Sequence, residues 1–283
     1  MSSEARLKLL TFNTWGRTGP WPSRRAVIVE GIRALDPHVV GLNEVWDGDD
    51  GNLAHELVDA LGGGWHVHSA PAYETESGTT CGNAVMSRFP ILEDGAWPLP
   101  QPRGDTGRNL VFVVIETPWG KLPVFVTHLS WMFHHSSWRL MQLQQVRAWM
   151  AERAPIQRGD APTDTLPPVF MGDLNTEPES DEIRFLRGYQ ADAYGCYLAD
   201  CFGIRGDGPG YTWHRDNHYA AREHYPNRRI DYIFVRGPDR WHRGEPLVAR
   251  VVLDRPSPDG VFASDHYGLY AEIRATPVVL PPL

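Results

Sequence analysis

The stretch "PVFMGDLNTEP" (Pro168–Pro178) runs apolar from Val169 to Met171, stops at Gly172, and then delivers Asp173 and Asn175 with only Leu174 between them. A short apolar run closed by a turn residue reads as a buried strand. Residues i and i+2 of an extended segment point the same way. A carboxylate and a carboxamide are therefore expected side by side at the end of a core strand.

The same event recurs along the chain. "LLTF" ends at Asn13, "VVGL" at Asn43-Glu44 and "VFV" at Thr127-His128. Arg229-Ile230-Asp231 opens "YIFV", and Ser264-Asp265-His266 opens "YGLYAEI". Each has an ordinary reading when taken singly. Asn13 suits a turn, Glu44 a solvated loop, and His128 a hydrogen-bonded core position. Asp231 suits a surface ion pair of little worth, Asp173 a helix cap, and Asp265-His266 a turn. Six separate accidents are needed on that view, whereas one metal-centred site accounts for all of them. Carboxylates with carboxamide oxygens are hard ligands suited to Mg²⁺ or Mn²⁺, unlike the sulfur- and imidazole-rich sets that zinc prefers. Two histidines beside carboxylates suit proton transfer and stabilisation of developing charge. The combination points to hydrolysis of a phosphate ester.

Between these ends the pattern alternates. Leu7–Asn13 reads as a strand, Arg24–Leu35 as a helix stopping before Pro37, and "HVVGLNEV" as a second strand. Leu53–Leu61 is a short helix closed by Gly62 to Gly64, and "GNAVMSR" is a strand. "NLVFVVIETPWGKLPVFVTHL" reads as a hairpin around Pro-Trp-Gly-Lys. Ser137–Arg153 is a helix with Leu140, Leu143, Val146, Trp149 and Met150 as its apolar stripe. Pro155–Pro168 reads as a surface loop and Glu179–Phe202 as mixed. "RRIDYIFVRG", "LVARVVL" and "YGLYAEIR" are the last strands. Many strands, hairpins included, with several helices imply mixed or antiparallel sheets and not a purely parallel wound sheet.

The bulk numbers narrow the class. A chain of 283 residues that is 42% hydrophobic can build a sizeable core. No segment is apolar enough to span a bilayer. The charged start lacks an apolar stretch of signal-peptide type. The three cysteines, Cys81, Cys196 and Cys201, form no CxxC pair, which fits a reducing cytosol, so cytoplasmic localisation is expected. A net charge of −8 with no Lys-rich run argues mildly against a nucleic-acid binder, although bound Mg²⁺ masks carboxylates. No protein partner is implied.

The ordered series Asn13, Glu44, His128, Asp173-x-Asn175, Asp231, Asp265-His266 resembles the endonuclease/exonuclease/phosphatase superfamily, and the resemblance runs from "LTFNTWG" to "SDHYGLYAEI". It implies one catalytic domain over residues 1–283. It also implies an α+β fold, a four-layer α/β/β/α sandwich of two packed mixed sheets, with the site at one edge. By resemblance Glu44 is the principal Mg²⁺ ligand, helped by Asn13 and Asp265, with Mn²⁺ as a substitute. Asp173 orients or deprotonates the attacking water, or binds a second metal. Asn175 holds a phosphate oxygen or the nucleophile. His266 contacts the scissile phosphate and Asp231 orients it. His128 is the phosphate contact or the general acid. The reaction is direct in-line attack by water.

The chain departs from the pattern at Asn43, where many members carry Gln, and at Asn13-Thr14-Trp15-Gly16, Asn175-Thr176-Glu177 and Arg229-Ile230-Asp231. The last three departures point away from abasic-site enzymes and 5-phosphatases, and the opening "LKLLTFNTWG" is closer to sphingomyelinase-like members and broad bacterial phosphodiesterases. The expected substrate is a small phosphodiester or phospholipid head group. The alternatives are a DNA or RNA nuclease and, in another class, a catalytically silent binding protein.

"THLSWMFHHSSWRLMQ" sets Trp131, Phe133, His134, His135 and Trp138 after His128, with Arg139 close behind. Such aromatics stack on bases, hold a choline-like cation or simply pack the loop. Asn83, Arg108, Trp131, His134 and Arg139 are the candidate substrate contacts. Tyr211–His214 and Asn217–Arg229 fit either a cleft edge or a solvated surface.

Overall fold

The computed structural model describes residues 4–76, 78–156, 161–190 and 197–278. Cys196, the first three residues, positions 157–160 of the expected Pro155–Pro168 loop and positions 191–196 of the mixed region lie outside the described residues.

In chain order the elements are β1 (Arg6–Asn13), α1 (Trp21–Leu35), β2 (Val39–Gly48), β3 (Gly51–Asn52), α2 (Leu53–Leu61), β4 (His66–Glu74), β5 (Thr80–Ser87) and β6 (Ile91–Pro98). Then come β7 (Asn109–Thr117), β8 (Gly120–His128), α3 (Ser136–Arg153), β9 (Val169–Asp173), α4 (Asp181–Leu186) and β10 (Leu198–Asp200). The last are α5 (Cys201–Arg205), β11 (Asp231–Arg236), β12 (Pro246–Val252) and β13 (Gly268–Arg274). One sheet runs β12-β13-β1-β2-β5-β4, with β3 on β2; the other runs β10-β11-β9-β8-β7-β6. The β1–β2 and β8–β9 pairs are parallel and their neighbours antiparallel, so both sheets are mixed.

Residue parity builds the layers. Leu7 and Leu9 of β1, Val111, Val113 and Ile115 of β7, and Val169 and Met171 of β9 face one another between the sheets. Leu10 and Phe12 face α1 and α2, through Ile28, Ile32, Leu53 and Leu57. Phe112, Phe125 and Phe170 face α3 and α4, through Leu143, Val146 and Ile183. With both faces covered, these strands read as continuous apolar runs. The result is a four-layer α/β/β/α sandwich.

The expected elements are found with shifts at their ends. Helix α1 starts at Trp21, three residues before the expected Arg24, because Pro22 sits in the first turn, where its missing N–H costs nothing. Strand β11 starts at Asp231, since Arg228 instead bridges Trp213. Strands β4 and β6 were not expected. They are edge strands, part exposed and interrupted by Pro71 and Gly95, so no apolar run marks them.

Candidate active site

Parity also places the site. Asn13 continues the odd series of Leu7 and Leu9, His128 the even series of Val124 and Val126, Asp173 the series of Val169 and Met171, and Asp231 the series of Ile233 and Val235. Each is the polar last or first member of an inter-sheet face, so all four meet where the apolar layer stops. Glu44 has the wrong parity. It reaches the same rim because β2 bulges between Asn43 and Val45, with Glu44 at φ 56°. The Thr14 hydroxyl donates to the Asn43 and Glu44 carbonyls at 3.0 and 2.9 Å and holds the bulge.

Asn175 does not arrive by the i, i+2 rule. Strand β9 ends at Asp173, and Asn175 sits at φ 51° with its N–H donating to Asp173 Oδ1 at 2.9 Å. The two reach one side through a turn and not through an extended run.

Asn13 Nδ2 donates to Glu44 Oε1 and to Asp173 Oδ2, both at 3.0 Å. The Asn175 carboxamide nitrogen lies 2.9 Å from His128 Nε2. His266 Nδ1 lies 2.9 Å from Asp231 Oδ2, and the other Asp231 oxygen is buried without a partner. His266 Nε2 faces Asp173 Oδ2 at 3.7 Å, and the Ser264 hydroxyl donates to Asp265 Oδ1 at 3.0 Å.

These contacts set the charges. Burial, then the Asp231 charge, pushes the Asp173 carboxyl up to about 7. Burial pushes Asp265 up to about 6, with the Glu44 charge adding to it. Burial alone would lower His266, but Asp231 and Asp173 raise it to about 10, so it is an imidazolium at neutral pH. Burial, Arg108 and His266 hold His128 well below its ordinary value, so it is neutral.

Buried carboxyls raised in this way, with Glu44 beside them, suit an oxygen-preferring divalent cation. The Asn13 carboxamide between them turns its NH2 to Glu44 and Asp173 and its oxygen to the Trp15 N–H. Ligand atoms of Asp173, Asp231 and His266 also lie within 4.8 Å of one another. The Asp231–His266 hydrogen bond already engages two members of that trio, and Asp173 faces the other ring nitrogen. Glu44 and Asp265 line the same cavity and interact electrostatically.

An open cavity of about 370 Å³ covers these groups. Arg108 and Trp131 are among its walls, as expected, together with Tyr73, Phe133, Tyr225, Arg228, Trp213 and the acidic Glu223. Trp131 and Phe133 are 43% and 45% exposed, and the Arg228 guanidinium lies 4.2 Å from the Phe133 ring centroid. Three expected substrate contacts do not line the cavity. His134 is exposed and packs on His135. Asn83 is buried between Asn43 and Asn109. Arg139 is buried against Glu182 at 2.8 Å and donates to the Ser130, Met132 and Phe133 carbonyls, so it shapes the wall from behind. Sequence reasoning missed Tyr73, which sits on the unread edge strand β4.

The sequence profile of the Endonuclease/Exonuclease/phosphatase family matches residues 10–266. The chain belongs to this family. Its members are metal-dependent phosphoric ester hydrolases, and so is this protein. No curated protein sequence matches it. Among solved structures it is similar to D. rerio TDP2 complexed with a single-strand DNA product, at 20% identity, TM-score 0.72, and 96% and 100% coverage of the two chains. It is also similar to a family protein from Bacteroides vulgatus, at 16% identity, TM-score 0.72, and 96% and 99% coverage. At such identities the likeness speaks for the fold. No helix among the described residues is long and apolar enough to cross a membrane.

Proposed function

We propose that the chain is one catalytic domain, residues 1–283, that hydrolyses a phosphodiester by in-line attack of water with Mg²⁺ as its cofactor and Mn²⁺ as a substitute. The observation that carries this reading is the Asp173 carboxyl, raised to about 7 and held among Asn13, Asn175 and two histidines on the floor of an open cavity. Burial raises this carboxyl towards neutrality, which suits a group that takes a proton from water.

Glu44 and Asp265 would hold the metal, which would supply Lewis-acid polarisation of the phosphate. Asn13, whose Nδ2 faces Glu44 and Asp173 and whose Oδ1 accepts the Trp15 N–H, positions those two carboxylates. Asp173 orients and deprotonates the water. Asn175, whose Nδ2 donates to His128 Nε2 and to the Leu129 carbonyl, holds the His128 ring in place. The His266 imidazolium faces the charge that develops on the phosphate, and Asp231 keeps its ring in place. His128, being neutral, serves as a phosphate contact in preference to a general acid.

The favoured substrates are small phosphodiesters and phospholipid head groups. Single-stranded nucleic acid is the second reading, favoured by the exposed Trp131 and Phe133 beside Arg108 and Arg228, a wall on which bases stack. The similar D. rerio structure holds single-strand DNA product. A cytoplasmic location agrees with buried, free Cys81 and Cys201.

The test is hydrolysis of bis(p-nitrophenyl) phosphate and nicking of supercoiled plasmid, by wild type and Asp173→Ala, with EDTA and after Mg²⁺ is restored. Metal-dependent hydrolysis by wild type alone supports the proposal. Hydrolysis that persists in EDTA sinks the mechanism. Absence of hydrolysis of both probes removes the nuclease reading and moves the test to phospholipid head groups and phosphomonoesters.

A further inference from the structure

The layer between the sheets is apolar and mostly aliphatic. Such a layer gives burial but little register, because apolar contacts are not directional. At its site end a chain of carboxamides replaces it. Asn43 Nδ2, on β2, donates to the Thr127 carbonyl across the sandwich at 2.9 Å and to Asn83 Oδ1 at 2.7 Å. Asn83 Nδ2, on β5, donates across the sandwich to Asn109 Oδ1 at 2.6 Å. Asn109 Nδ2, on β7, returns to the Ala70 and Pro71 carbonyls of β4 at 3.1 and 3.0 Å. At the other end Asn43 Oδ1 accepts the backbone N–H of Asp173 at 2.8 Å.

The orientation of Asn43 is fixed by its partners. Two carbonyl oxygens face its nitrogen and an N–H faces its oxygen. It is fully buried, as are Asn83 and Asn109 within a few per cent. The residues it touches are the three functional strand ends: it precedes Glu44 in the chain, it binds the carbonyl of Thr127 next to His128, and it binds the amide of Asp173. Gly172, at φ 140°, turns that amide towards Asn43, and a Cβ there would stand 1.9 Å from the Thr127 carbonyl oxygen. Leaving the Asp173 amide unpaired in this setting is costly.

We propose that Asn43 is a positioning residue that sets the spacing of Glu44, His128 and Asp173, with Asn83 and Asn109 as the rail that holds it. It touches no substrate in this arrangement and acts through the strands it joins. The inference rests on the phosphodiesterase reading.

The experiment compares Asn43→Leu, Asn43→Asp and Asn83→Leu with Asn52→Ala, which removes a helix cap outside the site. The readouts are kcat and KM for bis(p-nitrophenyl) phosphate, melting temperature, and amide hydrogen exchange at Asp173. Misplacement of a reacting group by about 1 Å costs about 100-fold. The Asn43 variants are expected to lose about 10- to 100-fold in kcat with KM within about twofold, and Asn83→Leu to lose less. Asn43→Asp keeps the acceptor for Asp173 but faces two carbonyl oxygens without a proton, so it is expected to fail as well. Exchange at Asp173 accelerates in Asn43→Leu.

Variants that melt lower yet keep wild-type kcat, as Asn52→Ala is expected to do, overturn the proposal. If Asn43→Leu does not fold, Asn83→Leu, one bond further along the rail, decides by the same kcat criterion. If the wild type hydrolyses no phosphodiester, the functional reading fails by itself. Exchange at Asp173 then decides, and an amide equally slow in Asn43→Leu overturns the positioning role.

Discussion

Asp231 Oδ2 and His266 Nδ1 are 2.9 Å apart, and the second Asp231 oxygen is buried without a partner. The bond orients the ring and keeps it charged. Replacing Asp231 by Asn preserves the shape and removes the charge. His266 is then expected to titrate below its value of about 10, followed by the NMR shift of its ring protons. Turnover is expected to fall by about 10²–10³, the usual cost of one lost stabilising donor. A variant with near-wild-type turnover refutes the role given to the pair.

Asp173 is a buried acid held away from its ordinary value by burial, a conformation kept for chemistry and not for stability. Asp173→Asn is expected to lose several orders of magnitude in turnover. Above pH 7, without metal, removal of the buried charge offsets the amide nitrogen that then faces Asn13 Nδ2, so it is expected to melt close to wild type. A clearly lower melting temperature in differential scanning calorimetry contradicts this account.

The raised carboxyls also predict how metal and pH act together. Asp173 and Asp265 keep protons in the folded state that the unfolded chain has released above its ordinary value of 3.8. Their contribution to stability is therefore present at low pH and lost as pH rises through about 6 and then about 7. His266 acts in a separate window, from 6.5 to about 10. A divalent ion binds the ionised carboxylates, so it must displace protons at low pH. The rise in melting temperature on adding Mg²⁺ is expected to be larger above pH 7 than below pH 6. A rise independent of pH places the ion elsewhere.

Arg139 and Glu182 form an ion pair with side chains 4% and 1% exposed. Arg139→Met leaves Glu182 buried and unpaired and frees three carbonyls of the Ser130–Phe133 segment. Breaking such a pair on one side costs about 3–5 kcal/mol, so the melting temperature is expected to drop on the order of 10 °C. If Arg139 instead touched substrate, KM would rise while the melting temperature stayed put.

Much of this was legible in the order of residues. Strand faces repeat every second position, so a polar residue closing an apolar run marks the rim of a buried layer. Asn13, His128, Asp173 and Asp231 follow that rule. Glu44 breaks it, because a bulge that adds one residue leaves no apolar signature. Asn83 and Arg139 looked like substrate contacts because members of the family carry polar groups at similar places. Only packing reveals that their polar groups are consumed by Asn109 and Glu182. Tyr73 was invisible because edge strand β4, part exposed and holding Pro71, carries no regular alternation.

The cavity wall supplies the last prediction. Phe133 lies between Arg228, 4.2 Å from its ring centroid, and Tyr225, centroid to centroid 4.9 Å in a tilted edge contact. Trp131 stands exposed beside it, and Arg108 lines the same cavity with its Nε buried and without a partner. None of these groups touches Asp173 or Glu44 through a hydrogen bond, so they are placed to bind and not to react. Phe133→Ala and Trp131→Ala are expected to raise KM for a single-stranded oligonucleotide about tenfold each, since stacking on an aromatic contributes about 1–3 kcal/mol per base. For bis(p-nitrophenyl) phosphate, which reaches less of the wall, the change is expected to be smaller. Arg108→Ala is expected to weaken both, because its buried cation lies near His128 in the cavity proposed to receive the phosphate. If the aromatic variants change kcat and leave KM alone, the wall shapes the catalytic groups and does not receive the leaving group.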